Sequence, residues 1–133
     1  MKYEERNVSV EEYQWLRKSV GWWETDPEST KKALENSLYS VVVVEKGTVI
    51  AIGRVVGDKG LYYYIQDLIV HPGFQSKGIG RKIMGMLKGY IEGNAKPGSF
   101  IALMAAKGLE AYYKEFGFQP RPSDGPGMFY IKQ

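Results

Sequence analysis

The sequence predicts an α+β fold, a sheet with helices on both faces, and three observations predict it. Two segments with helical spacing and clear start signals come first. Runs rich in β-branched and aromatic residues then follow one another with only turns between them. Finally a glycine loop introduces an apolar helix, after which strand and helix alternate once more.

The first helix opens at "SVEEYQWLRKSV", where Ser9 can cap and Glu12, three residues on, completes a capping box. Tyr13, Leu16 and Val20 keep helical spacing behind it. A second helix opens at "DPESTKKALENSL", with Asp26 as N-cap and Pro27 at the first helical position. The period then changes. "YSVVVVE", "TVIAIGRVV" and "LYYYIQDLIV" read as a meander of strands joined by turns at "EKGT" and "GDKG". Ile79, Ile83, Leu87, Tyr90 and Ile91 form one helical stripe ending near Gly93. "SFIALMAA" reads as a buried strand, "KGLEAYYKEFGF" as a short helix closed by Gly117, and "GMFYIKQ" as a last strand. Gly85 and Gly89, four apart on the long helix, suit close packing of helix on sheet.

With 133 residues, 44% of them apolar, and no repeat, linker or low-complexity tract, residues 1–133 read as a single domain with its own core. A net charge of +3 permits an acidic ligand without demanding nucleic acid, and no basic run is interleaved with aromatics. The absence of cysteine excludes disulfides, thiolate metal sites and cysteine nucleophiles, and the lone His71 argues against a histidine metal cluster or a Ser-His-Asp triad; no metal is expected. The polar start "MKYEERNVSVEEY" carries no signal peptide, and no apolar run approaches the roughly 20 residues needed to span a bilayer, so no membrane partner and a cytoplasmic location are expected.

The stretch "IVHPGFQSKGIGRKIMGML" places Lys77, Arg81 and Lys82 at the start of a helix, where the macrodipole is already positive. An anion outside the chain resolves that conflict. A strand, a glycine loop and a helix N-terminus together make a phosphate-binding arrangement, and Gly78 and Gly80 let backbone approach the ligand. "GFQSKGIG" is not a P-loop, because no Lys-Ser or Lys-Thr follows Gly80. "GIGRKI" has Ile83 where a dinucleotide fingerprint needs its third small residue. A plain turn with basic surface residues remains the bland alternative.

The Q-x-x-G-x-G of this loop, following a strand that ends in V-x-P, resembles the signature of the GNAT superfamily of acetyl-CoA-dependent N-acetyltransferases. The later "AYYKEFGF" is similar to that family's Y-x-x-x-G-F, in the expected order, and the tail "EAYYKEFGFQPRPSDGPGMFY" resembles the serotonin N-acetyltransferase branch. The resemblance implies a central, mostly antiparallel, splayed sheet of about six to seven strands. It also implies that acetyl-CoA lies along "YIQDLIV", pairing with backbone groups of Leu68, Ile69 and Val70, with its diphosphate on Gln75, Ser76, Lys77, Gly78, Ile79, Gly80 and Arg81 and with Lys82 close by. Many relatives carry Asn seven residues before the tyrosine of the last helix, where it helps hold the cofactor. Here Ala106 stands at that place, and Lys107 after it either serves the cofactor in another way or leaves it without this support.

The same resemblance assigns Tyr113 as the general acid for the departing thiolate, with a core aromatic as the alternative, and a strand N–H near Ile69 or Val70 as oxyanion donor. Asp67 would take the amine's proton or, on the other reading, be a carboxylate satisfied by backbone N–H groups at a bulge. By simple alternation it shares a face with Tyr63, Ile65 and Ile69. His71 reads as a turn residue before Pro72. Trp22, Trp23 and Tyr63 would wall an acceptor amine or pack in the core. The implied activity is acetylation of a small primary amine, an arylalkylamine in the branch suggested. The alternatives are acetylation of a protein or peptide, or a coenzyme A-binding module without chemistry. The exposed edge of a final strand would suit a homodimer.

Overall fold

The structure, a computed structural model, describes residues 1–133 and comprises two compact units, Met1–Leu103 and Met104–Gln133. In the first unit β1 (Lys2–Glu4), α1 (Val10–Ser19) and α2 (Pro27–Glu35) precede β2 (Tyr39–Glu45), β3 (Thr48–Gly57) and β4 (Tyr62–Val70). A single 3-10 turn (Pro72–Phe74), α3 (Ile79–Asn94) and β5 (Phe100–Ala102) complete it. The sheet has five strands in the order β1-β2-β3-β4-β5, antiparallel except for the parallel pair β4–β5.

The start signals form as expected. Ser9 and Glu12 make the reciprocal capping box of α1, and the Asp26 carboxylate accepts from the Ser29 N–H with Pro27 at the first position of α2. In the turn before β4, one Asp58 oxygen accepts from the N–H groups of Gly60, Leu61 and Tyr62. One face of the sheet carries Val42, Ile52 and Ile69 against Tyr13, Leu16 and Leu34 of α1 and α2. The other face meets α3, whose buried stripe is Ile79, Ile83, Met84, Leu87 and Ile91. Gly53 marks the tightest point there, since a Cβ at that position would lie 2.6 Å from Ile83 and 3.1 Å from Leu87.

Helices on both faces are therefore observed, but the sheet has five strands, not six or seven. Residues 127–133, read as a last strand, join no sheet, and Met128, Phe129, Tyr130 and Ile131 lie exposed. β-propensity describes fit to a paired, half-buried surface, and alternation alone cannot supply the partner. β5 is shorter and less buried than "SFIALMAA" suggested. β1 was not anticipated: three residues with two charges carry no apolar alternation, and the strand forms by pairing with Val42–Val44.

Gly85 and Gly89 also differ from expectation. Both are exposed, and a Cβ on either would meet nothing within 4 Å, so close packing does not explain them. Their backbone freedom is then a cost without a packing gain, about 0.8–1 kcal/mol per glycine relative to alanine in a helix interior. Gly85→Ala with Gly89→Ala is expected to stabilise the protein by about 1–2 kcal/mol, read as a higher urea midpoint at unchanged m. A lower midpoint would mean that the glycines serve a contact outside this chain.

The second unit holds α4 (Glu110–Lys114), closed by the Gly117 N–H on the Lys114 carbonyl with Gly117 at positive φ.

Candidate functional site

β4 is irregular at its centre. Ile52 of β3 faces Ile69, yet Arg54 faces Gln66, so Gly53 alone opposes both Asp67 and Leu68. This two-against-one arrangement is a β-bulge, and Asp67 takes φ +59 within it, a left-handed conformation that aspartate tolerates better than most residues. The extra residue corrects the simple alternation. Asp67 and Ile69 lie on the α1 side, but Ile65 and Tyr63 pair with Val55 and Gly57 on the face that α3 covers. Tyr63 is buried there, so it does not wall a site alongside Trp22 and Trp23.

Asp67 is the hub of a buried polar cluster. One carboxylate oxygen accepts from the Tyr13 hydroxyl at 2.8 Å and from Arg54 Nε at 2.7 Å; the other accepts from Gln66 Nε2 at 3.2 Å and lies 3.7 Å from Arg17 Nη1. Its partners are side chains from α1, β3 and its neighbour Gln66, not backbone N–H groups of the bulge. Tyr13 accepts in turn from Arg17 Nη1 at 3.3 Å, and its hydroxyl pKa is raised, first by burial and then by the neighbouring Asp67 charge. Both oxygens of Asp67 are thus engaged by donors within the chain. Arg17 runs beneath the rings of Trp22 and Trp23, at 5.3 and 4.9 Å from their centroids, and both indoles are exposed. They form a surface platform, not core.

Beyond the bulge the strand opens. β5 pairs with β4 only at Tyr62–Tyr64, so Ile65–Val70 have no strand on that side. The His71 N–H donates to the Ile50 carbonyl at 2.8 Å; by alternation Ile69 also spends its backbone groups on β3, while Val70 faces the open side. The Ile69 N–H is thereby engaged by β3, while the Val70 N–H is on the open side. The Val70 carbonyl accepts from Gln75 Nε2 at 2.9 Å, so the Gln75 side chain ties the loop to the end of the strand. His71 is a turn residue: its Nδ1 accepts from the Gly73 N–H and its ring stacks on Trp15 at 4.8 Å.

The loop then presents backbone donors. Ser76 and Gly78 both have positive φ on either side of Lys77, an alternation of backbone conformation of the kind found in anion-binding loops. Gly78 is the N-cap of α3 without a side-chain cap, and the first backbone bond closes only at Lys82 on Gly78, leaving the Ile79 and Gly80 N–H groups without acceptors in the chain. Lys77 and Arg81 are exposed beside them. Lys82 is placed differently, with its ammonium 4.0 Å from the Tyr3 ring centroid on β1. Free N–H groups at a helix start with two exposed cations beside them match a diphosphate in charge.

In the second unit Tyr113 is half-buried against Tyr112 and Phe118, and its backbone carbonyl receives the Phe116 and Phe118 N–H groups. Its pKa is raised, first by burial and then by Tyr112, so it stays protonated at neutral pH. Lys107 is exposed in the turn before α4.

Sequence reasoning missed Arg17 and Arg54 as members of the site. A signal was present. Arg54 interrupts the apolar run "TVIAIGRVV", and a charge in a buried strand needs a partner, for which Asp67 on the next strand was available.

A model of the acetyltransferase (GNAT) domain matches residues 18–125. The uncharacterized N-acetyltransferase ycf52 of Pyropia yezoensis is 29% identical over 129 residues, spanning 94% of this chain and 73% of the relative. The chloroplastic serotonin N-acetyltransferase 2 of Oryza sativa subsp. japonica is 31% identical over 119 residues, spanning 85% of this chain and 58% of the relative. Among solved structures, a protein of unknown function from meticillin-resistant Staphylococcus aureus, described as a probable acetyltransferase, superposes with a TM-score of 0.89 at 30% identity over 99% of this chain and 100% of that one. The family match takes in the bulged strand, the glycine loop and α3, and the chain belongs to the GNAT family of acetyltransferases.

Proposed function

We propose that this protein transfers the acetyl group of acetyl-CoA to a primary amine of a small molecule with an apolar or aromatic body, within a ternary complex. The uncapped start of α3 at Gly78, in a loop with positive φ at Ser76 and Gly78 at the end of an open strand, carries the reading. Gln75, Ser76, Lys77, Gly78, Ile79, Gly80 and Arg81 form the diphosphate cradle, with Leu68 and Val70 offering backbone groups along the strand. Lys82, occupied by Tyr3, contributes through the field at the helix start and not by contact. Acetyl-CoA supplies the activated thioester.

On this reading the Val70 N–H stabilises the developing oxyanion, and Tyr113, protonated at neutral pH, donates to the departing sulfur. Asp67 acts through the bulge it holds. Trp22 and Trp23 form one wall for the acceptor's body. Residues 1–133 act as one acetyltransferase domain, which the family match over 18–125 supports, and Lys107 is a candidate for the cofactor contact that Ala106 cannot make. The serotonin-acetylating relative supports an arylalkylamine acceptor.

A panel of amines, followed by free-thiol release, tests this. Arylalkylamines are expected to turn over before polyamines or aminoglycosides, and a clear preference for spermidine would sink the aromatic-acceptor reading. Tyr113→Phe is expected to lower kcat by about 10²-fold with little change in acetyl-CoA affinity. Intact activity would make Tyr113 a core aromatic and leave the proton to water. Tight acetyl-CoA binding without turnover of any small amine would favour a peptide acceptor or a non-catalytic module.

A further inference from the structure

The buried cluster around Asp67 does not balance. Two guanidiniums, Arg17 and Arg54, face one carboxylate, and the three side chains are only 6%, 12% and 1% exposed. Arg17 Nη2 is buried without any hydrogen-bond partner. Arg54 gives Nε to Asp67 and Nη1 to Ser37 and the Ala33 carbonyl, and its Nη2 has no partner in the chain. The carboxylates of the adjoining segment, Glu24, Asp26 and Glu28, are exposed and pair with neither arginine. Arg17 also gives Nε to the Trp23 carbonyl and faces the Trp22 and Trp23 rings, so the one positive charge in excess falls to the partly exposed Arg54, whose open edge suits an anion.

Beside the cluster lies a cavity of about 170 Å³ between α1, α2 and β3, several times the space one water needs. Arg54 and Tyr13 line one part of it; Thr25, Ser29 and Thr30 bring hydroxyls, and Ala33 and Leu34 are apolar. Tyr13 links this wall to Arg17 through its hydroxyl.

We propose that this cavity receives a carboxylate of the acceptor, so that among amines with an apolar or aromatic body a carboxylate-bearing one, an amino acid, is preferred over the corresponding simple arylalkylamine. A carboxylate matches the planar donor edge of a guanidinium. Its single negative charge equals the excess, whereas a phosphomonoester, at about −1.5 to −2, would overshoot it. The assignment rests on the acetyl-transfer reading above for its consequence, but the binding it requires is measured without turnover.

The test is calorimetry of the full chain, saturated with coenzyme A, against pairs that differ only in the carboxylate: tryptophan with tryptamine, and leucine with isoamylamine. The carboxylate member of at least one pair is expected to bind about tenfold tighter or better. Ala33→Glu, an exposed position on α2 where glutamate suits the helix, places a negative charge at the cavity and is expected to abolish the preference. Equal or tighter binding of the simple amines overturns the proposal, as does no binding of either carboxylate member, or a preference that survives Ala33→Glu in a folded variant. Failure of acetyl-CoA to bind in a parallel titration would instead remove the acetyl-transfer reading.

Discussion

Gly80→Glu is expected to cut acetyl-CoA affinity by about 10²–10³-fold while the protein stays folded. Gly80 is the second residue of α3, next to the uncapped Gly78 and Ile79. A carboxylate there would meet the diphosphate at close range. Two unit charges about 4 Å apart near a protein surface interact by about 4 kcal/mol, and each 1.4 kcal/mol is tenfold in affinity. The same carboxylate is favourable to the helix itself, because it opposes the positive end of the macrodipole, by about 0.3–1 kcal/mol. Affinity and stability therefore move in different directions, which separates loss of a site from loss of fold. Calorimetry and thermal melts on one preparation read both, and unchanged affinity would remove the diphosphate assignment.

Asp67→Asn is expected to be the most destabilising of the conservative changes, costing about 3–5 kcal/mol. That is the usual result of removing one partner of a buried ion pair. The substitution keeps the shape and the tolerance for positive φ, so the cost reports the lost charge together with the one acceptor oxygen that an amide nitrogen cannot replace among these donors. It leaves Arg17 and Arg54 facing each other without a counter-ion at a position only 3% exposed. Against a typical domain stability of about 5–15 kcal/mol this is a large fraction, visible as a lower urea midpoint. A loss under about 1 kcal/mol would mean that water reaches the cluster and screens it.

Periodicity and capping carried much of the fold. β2 coincides with "YSVVVVE", and both helix starts fall where Ser9 and Asp26 placed them. Those features are local, written in the residues that adopt them. What was not legible depends on partners distant in the chain. β1 has no alternation of its own and exists because β2 offers an edge, while residues 127–133 have alternation and find no edge. The bulge is the sharper lesson. One extra residue at Asp67 moves Tyr63 and Ile65 to the opposite face, a shift that strict alternation cannot anticipate. The glycine loop was readable because its function is carried by backbone conformation, and glycine spacing with misplaced cations records that directly. The Asp67 cluster was not, since Tyr13, Arg17 and Arg54 lie on α1 and β3, and only the charge of Arg54 inside an apolar strand hinted at it.

The central claim is that coenzyme A lies along the open side of β4 with its diphosphate on the backbone of the following loop. Hydrogen–deuterium exchange of the whole chain, with and without acetyl-CoA, tests it most directly, because the groups in question are amide hydrogens. Protection is expected at Val70 and across Ser76–Arg81, with the interior of β2 and β3 unchanged. Protection confined to other segments, or none at the loop under saturating acetyl-CoA, would contradict the account.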